Sequence, residues 1–151
     1  MKSLIDFLKG SDNQTFKKFE EQLLEINKTK EFELQILSIK EIKNLLKSNS
    51  KNFPLITTEN GNSKSVDDSK FLNDELYSKI DWFTVKSGNN IVCIFNFRHD
   101  KKSLYIPILE VSKSCRGLGW SKTVFNYIEK TAKEFFKEIK LMAFDEEAIS
   151  F

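Results

Sequence analysis

Cysteine and histidine are scarce here: Cys93 and Cys115 are the two cysteines, and His99 is the one histidine, in 151 residues. That excludes a disulfide framework and a four-ligand zinc site. A surplus of one charge sign is missing too, since 24 Lys and Arg face 22 Asp and Glu, a net +2. A dedicated nucleic-acid binder would carry a stronger field. No apolar run approaches the roughly 18 residues needed to cross a bilayer. The opening Met1-Lys2-Ser3-Leu4-Ile5-Asp6 puts an acid where a signal peptide would be apolar. The expectation is a cytoplasmic, reduced chain with no metal, no membrane and no nucleic acid among its partners. Arginine is the last scarcity, with Arg98 and Arg116 standing alone among the lysines. A guanidinium fork is not replaced by lysine where an anion must be gripped, so the positions of these two matter.

What is present suits one compact domain. Forty per cent of the residues are apolar, enough to bury a core. Leu4, Ile5 and Leu8 form a short helical stripe, Gly10-Ser11-Asp12-Asn13 interrupts it, and Phe16, Phe19, Leu23 and Ile26 resume it. Glu33 to Ile39 alternates as a strand does, and Ile42, Leu45 and Leu46 mark a helix over Glu41–Lys47. Residues 57–70 are polar and small, either a lid over a site or a plain surface excursion. Phe71, Leu72, Leu76 and Ile80 return to helical spacing.

From Trp82 the texture turns to β-branched and aromatic. Trp82–Val85 and Ile91–Phe97 read as a hairpin across Ser87-Gly88-Asn89-Asn90, and Asp100–Ser103 turns into a third strand, Leu104–Val111. Val124, Phe125, Ile128, Ala132 and Phe135 predict an amphipathic helix of about five turns. Ile139–Phe144 reads as a strand parallel to the third one, and Glu146-Glu147-Ala148 opens a further helix. The fold class is α/β (α+β), a mixed sheet flanked by helices.

The stretch with chemical content is Leu109-Glu110-Val111-Ser112-Lys113-Ser114-Cys115-Arg116-Gly117-Leu118-Gly119-Trp120-Ser121. It sets a glycine-bearing turn between a strand and a helix. Glycine permits positive φ, the first helical turn offers free N–H groups, and Arg116 adds a bidentate donor. A pyrophosphate fits that description. A Walker loop ending on Lys122-Thr123 would need glycine at positions held by Arg116 and Ser121. A dinucleotide turn counted from Gly117 would need glycine at Lys122.

The remaining option is the arginine-led turn that cradles the pyrophosphate of coenzyme A. The pattern Gln/Arg-x-x-Gly-x-Gly/Ala reads here Arg116-Gly117-Leu118-Gly119-Trp120-Ser121, with Ser121 in place of the last small residue. With its strand, its helix and the segment Asp145-Glu146-Glu147-Ala148, the sequence resembles the GNAT superfamily of acyl-CoA N-acyltransferases. That last segment is similar to the family's Asn-x-x-Ala-x-x-x-Tyr element, with Asp145 where the family has asparagine. The resemblance implies a twisted mixed sheet splayed between Leu104–Val111 and Ile139–Phe144. Residues 1–30 would be a helical extension packed on a domain spanning 31–151. It implies acetyl-CoA as cofactor, with pantetheine along Leu109, Glu110 and Val111. Arg116, Gly117, Leu118, Gly119, Trp120 and Ser121 would surround the pyrophosphate, and Asp145 would lie beside the cofactor. It also implies N-acetyl transfer to an amine-bearing acceptor, small molecule or protein.

A protonated amine needs a base. Glu110 is the nearest carboxylate, or else an ordinary exposed strand residue; Asp81, Glu75 and His99 follow, His99 reading as a turn residue. The family's acid tyrosine would fall at position 152, one past Phe151, and the strands that usually follow are missing from the sequence. An edge left uncovered in that way favours a homodimer. A non-catalytic module of the same fold, binding coenzyme A or a protein partner, is the alternative. Cys93 lies in an apolar run and reads as core; Cys115 precedes Arg116 without a base nearby; Trp120 either packs on the core or borders the cofactor.

Overall fold

The computed structural model describes residues 4–59, 62–63, 72 and 80–141, with the side chains of 4–12, 58–59 and 62–63 left out of account. The elements are α1 (Leu4–Leu24), β1 (Glu33–Leu37), α2 (Ile39–Asn49), α3 (Pro54–Thr57), β2 (Thr58–Glu59) and β3 (Asn62–Ser63). They continue with β4 (Trp82–Ser87), β5 (Asn90–Asn96), β6 (Arg98–His99), β7 (Ser103–Ile106), β8 (Leu109–Val111), α4 (Trp120–Ala132) and β9 (Glu138–Leu141). Strands β1-β4-β5-β8 form an antiparallel sheet in that order. In the sheet β6-β7-β9, β7 pairs antiparallel with β6 and parallel with β9, while β2 and β3 pair alone.

Strand alternation separates two cores. Phe83, Val85, Cys93, Phe95 and Phe97 meet Phe19 and Leu23 of α1 and Val124 and Ile128 of α4. Trp82 and Ile94 face the other way, onto Leu37, Ile42, Leu46, Phe53, Ile56 and Ile108. A strand covered on both faces reads as an unbroken apolar run, which is why Ile91–Phe95 lacks alternation. Phe83 stacks on Phe95 at 5.1 Å and Phe97 meets both edge-on, so these phenylalanines are core. The Tyr127 hydroxyl donates to the Leu23 carbonyl at 2.7 Å and ties α4 to α1.

Several expected boundaries move. Helix α1 runs unbroken through Gly10–Asn13, since poor helix formers there cost only about 0.5–1 kcal/mol each and give no stop of their own. β1 ends at Leu37 and not Ile39, because Ser38 caps α2: its Oγ accepts from Glu41 N and its N–H donates to Glu41 Oε1, both at 3.2 Å. Helix α4 has 13 residues rather than five turns, and Lys133–Phe135 continue as turns. His99 lies in strand β6, not in a turn, stacked on Phe16 at 4.3 Å. Most of the expected helix around Phe71–Ile80 (all but Leu72 and Ile80), most of the 57–70 loop, and everything from Met142 onward lie outside the described residues.

The largest correction concerns Leu104–Val111, expected as one strand. It is two, β7 and β8, parted at Pro107-Ile108. Between the β6–β7 and β5–β8 pairings the register advances by one residue, so an extra residue is accommodated there. Proline has no N–H to give a ladder and belongs at such a bulge. Asn96 anchors the break: its N–H donates to Ile108 O at 3.1 Å, and its Oδ1 accepts from Ile108 N at 3.2 Å.

Candidate functional site

The break decides what each half can do. β7 is occupied on both edges, by β6 and β9. β8 pairs with β5 on one side, and no strand takes its other side among the described residues. Ser112 N donates to Val92 O, and Asn96 N to Ile108 O. Antiparallel bonding alternates, so Ile94 and Glu110 exchange the bonds between those two pairs. The N–H and C=O groups of Leu109 and Val111 therefore point away from β5, along the open edge.

At the end of that edge the chain bends. A short 3-10 turn, Lys113–Cys115, leads to Arg116; Gly117 (φ 84°) and Gly119 (φ 81°) are both left-handed, and Gly119 caps α4. A side chain would be strained at either glycine. A Cβ built on Gly117 or Gly119 meets nothing within 4 Å, so the space above this backbone is open. Gly119 has no side chain with which to cap, and the first-turn N–H groups of α4 have no acceptor inside the helix. Leu118, 72% exposed, stands out into solvent, while Trp120 turns its ring edge toward Phe32 at 6.2 Å and packs on the core. Ser121 is half-buried in the first turn. These groups suit a diphosphate: donors, a positive helix end, and room for backbone approach.

Arg116 is the charged member, its side chain half exposed. One guanidinium nitrogen lies 3.4 Å from Glu110 Oε2, and Nε points at the Val111 carbonyl at 3.5 Å. Glu110 is not the exposed strand residue it could have been. It is 2% exposed, on the α2–α3 face of the sheet, and its carboxylate oxygens accept from Leu55 N at 2.9 Å and Ile56 N at 3.0 Å. Burial pushes its pKa up to about 7, against the pull of those two N–H groups and of Arg116. The carboxylate is spent on partners 54 and 55 residues away in sequence.

The lesser candidates go elsewhere. Asp81 and His99 line a cleft of about 510 Å³ with Phe16 and Glu20, and none of the bend residues lines it. Glu20 is raised to about 7 by burial and by Asp81. Cys93 is fully buried and its thiol is pushed up by burial, whereas Cys115 is half-buried beside Ser114. Glu75 and Asp145 lie outside the described residues. Asn96 was not singled out from the sequence; the cue was a lone amide closing an otherwise apolar strand. It is fully buried, and its Nδ2 has no hydrogen-bond partner among the described residues.

No family model and no curated relative matches the sequence. Solved structures do match. One is a possible acetyltransferase from Clostridium difficile 630, 16% identical, with 78% of this chain and 82% of that chain covered at a TM-score of 0.55. Another is the integron cassette protein VCH_CASS6 of V. cholerae, 15% identical, with 77% and 76% covered at a TM-score of 0.55. This chain has the GNAT acetyltransferase fold. β7 and β9 pair in parallel along Ser103–Ile106 and Glu138–Leu141, and among the described residues no strand pairs with β8 on that side beyond Pro107. Among the described residues no helix is long and apolar enough to cross a membrane.

Proposed function

We propose that the protein is an acetyl-CoA-dependent N-acetyltransferase acting on a primary amine. One observation carries the reading. A helix start without a side-chain cap, with two left-handed glycines and an arginine, sits at the end of a strand edge whose outward backbone groups are unclaimed by any strand among the described residues. Arg116, Gly117, Gly119 and Ser121 hold the diphosphate, with Leu118 and Trp120 flanking it. The outward N–H and C=O groups of Leu109 and the N–H of Val111 hold the pantetheine amides. The bound coenzyme supplies an acyl group activated as a thioester. The chain supplies alignment along β8 and backbone N–H groups to polarise a carbonyl. A neutral amine would form the C–N bond at the thioester carbonyl as the C–S bond breaks, with the proton lost from nitrogen passing through water to the departing thiolate.

A second reading has its own support. Glu110 has both carboxylate oxygens engaged, so the described residues place no free carboxylate beside the open edge. That favours a module which binds coenzyme A without turning it over. Two measurements separate the readings. Saturating acetyl-CoA should raise the melting midpoint under both, because it binds only the native state. Acetylation of any member of a panel of primary amines, followed as thiol release, supports the enzyme; binding with no acceptor acetylated supports the module. An unchanged midpoint rejects both.

A further inference from the structure

The site's arginine already has a partner within the chain. Its partner, Glu110, is a buried carboxylate that simultaneously receives the N–H groups of Leu55 and Ile56, on the segment that follows α2. One carboxylate thus clasps the diphosphate bend, strand β8 and the start of α3. Buried charges need partners, and removing one partner from a buried pair leaves the other uncompensated. A carboxylate answers such a loss by taking up a proton.

We propose that Glu110 is a positioning residue that parks Arg116 at the mouth of the bend, and that seating a diphosphate draws the guanidinium off Glu110 while a proton takes its place on the carboxylate. The inference rests on the acetyl-CoA reading above. Charge balances through the exchange: Arg116 leaves one anion for another, and the anion left behind is neutralised by a proton from solvent. The Leu55 and Ile56 N–H groups remain to hold the carboxyl in position. Among the described residues the charged side chain acting on Glu110 is Arg116; the Cys93 thiol, on the opposite face of the sheet, is kept protonated by burial. Burial already sets the carboxyl near neutrality, at about 7, with Arg116 holding it down. Departure of Arg116 removes a group that holds the carboxyl down and so favours its protonated form.

Isothermal calorimetry of the full chain with acetyl-CoA at about pH 7.5, in buffers of low and high ionisation enthalpy, reads the proton count directly. 3′-Dephospho-coenzyme A serves as a second ligand, because it lacks the phosphate monoester that could titrate on its own. The expected result is net proton uptake with both ligands, lost in Glu110→Gln. The Arg116 side chain is half exposed and outside both cores, so Arg116→Ala should fold and gives a second route. Its binding weakens at least tenfold, and what binding remains takes up no proton, since Glu110 has already lost its cation. A role confined to packing would leave the proton count unmoved. Binding whose heat is independent of buffer, or equal uptake in the wild type and both variants, overturns the proposal and leaves the acetyl-CoA reading standing. Absence of binding by calorimetry and by melting alike rejects that reading and the proposal with it.

Discussion

Strands β7 and β8 belong to one continuous stretch of chain, yet they behave oppositely. β7 is enclosed by β6 and β9, and its Leu104 and Ile106 are fully buried. Among the described residues β8 has one edge paired, and its Leu109 and Val111 are only half-buried. Two residues, Pro107 and Ile108, separate the two behaviours. Among the described residues pairing is complete along β7 and leaves one edge of β8 open, and the acetyl-CoA reading assigns that open edge to backbone contacts with the ligand. Substitutions in the enclosed half should then move stability, and substitutions at the open end should move binding.

The sharpest way to break the open half is Gly119→Val. A β-branched residue resists φ near +81° and fills the space above the first-turn N–H groups. Acetyl-CoA binding should fall below detection by calorimetry while the far-UV circular dichroism stays native. Undiminished binding would mean that this backbone does not touch the ligand. The enclosed half gives the next effect. Leu104→Ala removes a fully buried side chain and should cost about 2–5 kcal/mol in urea unfolding. Leu104 lies seven residues from Val111, in the other strand and across the Pro107-Ile108 break. Affinity for acetyl-CoA should change by no more than about twofold; a larger loss would erase the distinction between the halves. The smallest effect is a pH dependence. The Glu110 carboxyl is raised from 4.5 to about 7 in the folded chain. Between those values the native state holds more protons than the unfolded one, so stability falls as pH rises from about 4.5 to 7 and levels off above. Glu20, also raised to about 7, adds to the same slope. Glu110→Gln should make the fall in urea midpoint shallower; an identical slope would show that Glu110 does not carry it.

Much of this was legible locally. The hairpin of β4 and β5, the helix after Gly119 and the parallel relation of β7 and β9 all follow from period and turn residues over short windows. The backbone of the bend was legible because its cues are local as well: arginine, two glycines and a helix start occur within five residues. The burial of Glu110 was not, because its partners Leu55 and Ile56 are far away in sequence and belong to a helix of only four residues. A carboxylate alternating with Leu109 and Val111 reads as solvent-facing unless something covers that face, and here α3 does. The division of β7 from β8 hinged on Pro107 and on Asn96 across from it, a pairing set by tertiary register rather than by either residue's own preference. Helix α1 erred in the opposite direction, its weak central residues reading as a stop when they are merely a cost.

The most direct test of the whole account is a crystal structure of the chain soaked in acetyl-CoA. The diphosphate should lie against the N–H groups that follow Arg116, with the pantetheine amides running beside Leu109 and Val111. A coenzyme bound anywhere else, or a bend closed over by side chains, would contradict it.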